Sequence, residues 1–126
     1  MKVEKDFLAG DARQIIRAYE AGSIRVNENL ITRSCVITPS AVDSGWRPER
    51  FEDLRPEDFT PLVEDRPEVI LLGTGGETRI PPQEILAAVL GQGVGLEFMD
   101  TGAACRTFNV LVGEERSVMA ALLMID

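Results

Sequence analysis

Histidine is absent from the 126-residue chain. That absence excludes an imidazole general base, a Ser-His-Asp triad and the commonest protein metal ligand. Two cysteines, Cys35 and Cys105, stand far apart with no CxxC pair, which excludes a zinc knuckle, a thioredoxin-type site and a disulfide-rich scaffold. Reduced thiols in a cytoplasm are the simple reading. There is no run of Lys and Arg, and with 13 basic against 21 acidic residues the formal charge is −8. Neither a nucleic-acid backbone nor an anionic membrane surface is therefore an expected partner. No apolar run approaches the roughly 18 residues of a membrane span, so direct membrane insertion is not expected. The opening Met1-Lys2-Val3-Glu4-Lys5-Asp6 mixes charges and leads into no apolar stretch of signal length, so no secretory or mitochondrial targeting segment is expected. No internal repeat or low-complexity tract is present.

What remains is ordinary globular material. Hydrophobic residues make up 44% of the chain and charged residues 27%, a balance that argues against intrinsic disorder. The length predicts one domain, residues 1–126, that buries roughly two thirds of the surface of its unfolded chain without metal or disulfide staples.

Ser23-Ile24-Arg25-Val26 leads into Asn27-Glu28-Asn29, and a longer β-prone run follows from Leu30 to Thr38. Asn favours tight turns, so the pattern predicts a hairpin. In its second strand Ile31, Cys35 and Ile37 would share the core face. Before it, Ala12, Ile15, Ile16 and Tyr19 fall at helical spacing between Gly10 and Gly22, which leaves a helical turn and an extended strand both open. Residues 39–67 hold Pro39, Pro48, Pro56, Pro61 and Pro67, so a connection without long elements is expected, pinned by Trp46 and Phe51, with Pro56 opening a helical turn.

The second half has a clearer rhythm. Glu68–Leu72 is a continuous apolar run ending at Gly73, as in a strand covered on both faces. Pro81-Pro82 opens a helix through Leu90 with Ile85, Leu86 and Val89 on one face and Gly91 at its end. Val94–Met99 is the next strand. Asp100 or Thr101 caps a second helix with the stripe Ala104, Phe108, Leu111 and Val112. Ser117–Ile125 closes the pattern as a core strand or, on the other reading, as a sticky edge that binds a partner. Strand, helix, strand, helix, strand predicts right-handed crossovers and parallel pairing. With the N-terminal antiparallel hairpin, this gives a layered α/β domain with a mixed β-sheet.

Two segments carry possible chemistry. Gly73-Thr74-Gly75-Gly76 follows the apolar strand where open α/β sheets place ligand loops, yet it fits neither a dinucleotide fingerprint nor a Walker loop. It is either a wide turn or a cradle of backbone amides for an anion. The second segment starts at Asp100-Thr101 and reaches Cys105 and Arg106. A thiol in the first turn of a helix beside an arginine could be a nucleophile, but no His serves as its base, and the simpler reading is a small apolar thiol packed under the sheet. Arg106 either binds an anion or pairs with Asp100 or Glu97. Adjacent acids such as Glu52/Asp53, Glu57/Asp58, Glu64/Asp65 and Glu114/Glu115 do not share a face and read as solvated surface. No catalytic residue, cofactor or metal site follows from these patterns.

Ser23-Ile24-Arg25-Val26-Asn27, Trp46, Leu71-Leu72-Gly73-Thr74-Gly75 and above all Asp100–Leu111 resemble the small single-domain family of unknown function built on the Mth938-like domain. Its mitochondrial relatives include assembly factor 3 of respiratory complex I. The resemblance covers roughly residues 10–124 and implies a three-layer fold with a mixed central sheet and no established enzyme activity. It implies that Gly73–Gly76 and Asp100–Arg106 lie close together beside a surface cleft. The missing transit segment implies a bacterial cytoplasmic member. The expected function is a non-enzymatic interaction or assembly module with an unidentified protein partner. The alternative is a small anionic-ligand domain or an enzyme using Gly73, Thr74, Gly75, Gly76, Asp100, Thr101, Cys105 and Arg106. Oligomeric state is left open by the sequence.

Overall fold

In the computed structural model, which describes residues 13–126, β1 (Ile16–Glu20), β2 (Ser23–Val26) and β3 (Asn29–Ile31) form an antiparallel meander. The alternation in β2 decides its orientation: Ile24 and Val26 are buried while Arg25 is exposed. Asn27 takes φ 50° in the β2–β3 turn, the left-handed conformation that Asn tolerates better than most residues. Of the two forms left open for the preceding segment, the extended one is found. Ile16 is anchored at both its N–H and its carbonyl by the Asn109 side chain, each at 2.9 Å. Ala12 lies outside the described residues.

The run Leu30–Thr38 is not one strand. It breaks at Thr32-Arg33-Ser34, and β4 (Cys35–Thr38) joins a different sheet, where it pairs with β5 (Ala41–Asp43) and with the last strand of the chain. Ile31, Cys35 and Ile37 nevertheless meet in the same apolar core, because the meander packs over the face to which β4 turns Cys35 and Ile37.

The proline-rich connection holds two 3-10 turns, Phe51–Asp53 and Pro56–Phe59, and the short α1 (Thr60–Glu64). Pro56 takes the first position of its turn, where a missing N–H costs nothing. Trp46 is buried edge-on against Phe59, with centroids 5.6 Å apart, and its Nε1–H donates to the Asp58 carbonyl at 3.2 Å. Phe51 is half-buried against the same cluster. The Asp58 carboxylate accepts both Nε and NH2 of Arg47 at 2.7 Å and the Arg55 N–H at 2.8 Å.

The remaining elements are β6 (Val69–Gly73), α2 (Gln83–Leu90), β7 (Gly95–Met99), α3 (Thr101–Gly113) and β8 (Val118–Leu122). The five-stranded sheet runs β5-β4-β8-β6-β7, with β8, β6 and β7 parallel and the β4 and β5 pairings antiparallel. The β6-α2-β7 crossover steps one way along the sheet, and β7-α3-β8 returns past β6. Crossovers of one hand in opposite directions must place their helices on opposite faces. So α2 sets Ile85 and Val89 against Ile70 and Leu72 together with α1, while α3 sets Ala104, Phe108 and Val112 against Leu71 and Leu122 together with the meander. Each fully buried Leu, Ile or Phe contributes about 1.5–3 kcal/mol. The result is three layers around a mixed sheet, with the carboxyl ends of the three parallel strands at one edge.

Candidate functional site

That edge is organised by Thr101. Its hydroxyl donates to the Leu123 carbonyl at 2.7 Å and accepts the Gly75 N–H at 2.9 Å, while its own N–H donates to the Gly75 carbonyl at 2.8 Å. One fully buried side chain therefore ties the start of α3 to the loop after β6 and to the chain leaving β8. Asp100 caps α3 by accepting the Ala103 N–H at 2.9 Å, as its residue type directs. Gly73 permits this close approach: a Cβ there would lie 2.8 Å from Thr101 Oγ1 and 2.9 Å from Leu122 Cδ2. Gly75 has φ 106°, a conformation that L side chains rarely adopt.

The loop is braced further by Thr74. Its N–H donates to the Met99 carbonyl at 2.8 Å, its hydroxyl faces the Glu77 carbonyl at 2.7 Å, and it accepts the Arg79 N–H at 3.2 Å. The amides of Thr74, Gly75 and Thr101 are thus occupied by protein acceptors, which leaves Gly76 as the exposed part of the glycine-rich turn.

A cleft of about 230 Å³ opens beside this loop. Thr74, Gly75, Gly76, Glu77 and Arg79 of the loop form one wall, Glu49, Arg50, Phe51 and Glu52 of the proline-rich connection form another, and Leu123, Met124 and Asp126 complete the lining. Arg79 bridges the walls, with its guanidinium 5.3 Å from the Phe51 ring centre and 3.4 Å from Glu52. The wall from the proline-rich connection carried no signal in the sequence, because it comes from folding that segment across the sheet edge.

Cys105 and Arg106 do not line this cleft. Cys105 is buried with Cys35 in the core under α3. Burial pushes its thiol up to about 12, and the adjacent Arg106 guanidinium offsets this only in part. Cys35 is likewise pushed up to about 12, first by burial and then by the nearby Cys105 thiol and Asp43. The reactive-thiol arrangement therefore has the opposite electrostatics to those a nucleophile needs. Native protein at pH 8 is expected to resist iodoacetamide at both cysteines and to react at both once unfolded. Rapid alkylation of Cys105 in the folded protein, located by peptide mass spectrometry, would contradict this burial. Arg106 is exposed, donates to the Tyr19 hydroxyl and lies 5.9 Å from the centre of its ring. No ion pair joins it to Asp100 or Glu97 among the described residues. Also among the described residues, no cluster of three or more acids or thiols is placed to hold a metal, and no helix is long and apolar enough to cross a membrane.

The fold and site define a class: a small three-layer α/β domain with a polar cleft at the carboxyl ends of its parallel strands, walled by a loop locked through a buried threonine. The chain belongs to the family described as a protein of unknown function (DUF498/DUF598), whose model matches residues 16–123. It is 32% identical over 110 residues to the Rattus norvegicus protein named NADH dehydrogenase [ubiquinone] 1 alpha subcomplex assembly factor 3, covering 86% of this chain and 59% of that protein. The chain thus spans less than two thirds of that relative's length. Among solved structures, a Bordetella parapertussis protein superposes with a TM-score of 0.84 at 36% identity, covering 90% of this chain and 97% of that one. A Bordetella pertussis protein described as a Mth938-like domain gives a TM-score of 0.75 at 31% identity, covering 89% and 86%. The resemblance read from the Asp100–Leu111 motif and the fold it implied are both correct.

Proposed function

We propose that the chain is a protein-interaction module that acts in the assembly of a larger protein complex and performs no chemical step of its own. The observation that carries this reading is the similarity, along most of the chain, to a protein named as an assembly factor. Its support comes from the site: the thiols are buried, imidazole is absent, and the amides of Thr74, Gly75 and Thr101 are already occupied by protein acceptors. The respiratory NADH dehydrogenase is the first complex to examine, and a cytoplasmic setting belongs to the same proposal. A second reading, a small anionic ligand held in the cleft, draws on the position of the cleft at the strand ends and on Arg50 and Arg79 in its walls. It is confined to the exposed Gly76 turn and those two guanidinium groups, since Thr101 and Cys105 face inward.

Quantitative affinity purification of the tagged chain from its own cells, with gently solubilised membranes and an untagged control, tests the interaction reading. One protein or complex enriched reproducibly in stoichiometric amount is the expected result. A bait recovered alone, together with a small-molecule hit that raises its Tm, would overturn it in favour of the ligand reading.

A further inference from the structure

Ile80 is the most exposed large apolar side chain among the described residues, at 74%. It follows Arg79 on the loop that walls the cleft, and the loop is braced on both sides of it. Thr74 Oγ1 accepts the Arg79 N–H, Arg79 reaches across to Phe51 and Glu52, and Pro81-Pro82 restrict the chain that follows. An apolar side chain held in water on a braced loop has little entropy left to lose on binding, which is what an interface anchor requires. In the cleft next along the chain, half-buried Phe51 and Met124 add apolar surface to the lining.

The net charge of the surroundings is negative. Four carboxylates, Glu49, Glu52, Glu77 and Asp126, line the cleft against two guanidinium groups, Arg50 and Arg79, an excess of 4 − 2 = 2 negative charges. Glu52 pairs with Arg79, Glu49 with Arg33, and Arg50 with Asp53. Glu77 and Asp126 have no ion-pair partner among the described residues. The formal charge of −8 on the whole chain adds a long-range field of the same sign.

We infer that this end of the sheet, with Ile80 as anchor and the acidic cleft beside it, docks a protein partner through a basic segment that carries an apolar residue. The inference rests on the interaction reading and names the surface and the chemistry of its partner. Electrostatic attraction sets the approach, and Ile80 sets the residence time.

Random dodecapeptides displayed on phage and selected against the full chain test it. Enriched sequences should carry an excess of Lys and Arg together with a large apolar residue. A synthetic peptide of the enriched sequence should bind Ile80→Ser about tenfold more weakly than wild type, and should lose affinity as salt rises. Val110→Ser, an exposed change on α3, should leave binding unaltered. Because Glu77 and Asp126 are exposed, the double variant Glu77→Gln, Asp126→Asn gives a second comparison that does not depend on how Ile80→Ser folds. The inference is overturned if nothing is enriched over bare support, if the enriched peptides are neutral or acidic, or if both variants bind like wild type. A stoichiometric partner in native purification alongside failed peptides would remove this surface and leave the interaction reading standing. Absence of any partner would remove both.

Discussion

Thr101→Val is expected to destabilise the fold by about 2–6 kcal/mol, although the replacement has nearly the same shape. The hydroxyl is fully buried, and it is both acceptor for the Gly75 N–H and donor to the Leu123 carbonyl. Removing it strands two buried polar groups at about 1–3 kcal/mol each, and a methyl in its place cannot admit water. For a domain of this length the loss lowers Tm by on the order of 10 °C. Thr101→Ser keeps both hydrogen bonds, loses one methyl, and should cost about 1 kcal/mol. Denaturant unfolding of the three proteins separates the effects: Thr101→Val within about 0.5 kcal/mol of wild type would mean the hydroxyl is not the tie between α3, the β6 loop and the end of β8.

Asp58→Asn is the second large effect, about 2–3 kcal/mol at neutral pH. The Asp58 side chain is 5% exposed and receives two hydrogen bonds from Arg47 and one from the Arg55 amide, and hydrogen bonds to a charged group are the stronger kind. Asparagine would turn an NH2 donor toward a guanidinium donor. Burial on its own would raise the Asp58 carboxyl, but Arg47 and the Arg55 amide overcome it and hold the group below its ordinary value of 3.8. A depressed folded pKa stabilises the fold above the unfolded pKa, and that stability is lost as pH falls through the folded pKa. The difference between wild type and Asp58→Asn should therefore be full at pH 6–7 and shrink below about pH 4. A difference independent of pH down to about pH 3 would show that the charge of Asp58 is not what holds the connection.

The parts of this molecule that were legible in its sequence are those decided by near neighbours. Ile85 and Val89, and Ala104, Phe108 and Val112, announced their helices because a helix needs one apolar stripe, and Asp100 announced its cap because the capped amide is three residues away. The break at Thr32-Arg33-Ser34 was not legible. Leu30–Thr38 is β-prone throughout, and it is β8, more than eighty residues later, that draws Cys35–Ile37 into the second sheet. The buried Ser34 hydroxyl at this break has no hydrogen-bond partner among the described residues.

The candidate site also divides. The family resemblance, not the strand-helix rhythm, brought Gly73–Gly76 together with Asp100 and Thr101, and the Thr101 hydrogen bonds to Gly75 hold the two segments together. Phe51 and Arg79, which meet in the lining of the cleft, belong to a proline-rich connection and to a loop, and neither has a period to read. Arg106 met Tyr19 rather than an acid because β1 packs against α3. That contact depended on which of two open readings the first segment adopted.

The measurement closest to the central claim compares cells with and without the chain for the amount of fully assembled respiratory NADH dehydrogenase, by native electrophoresis and quantitative mass spectrometry, alongside turnover per assembled complex. An assembly module predicts less finished complex, partly built intermediates, normal turnover in what remains, and the chain itself absent from the finished complex. Normal amounts of complex in cells lacking the chain would contradict that role.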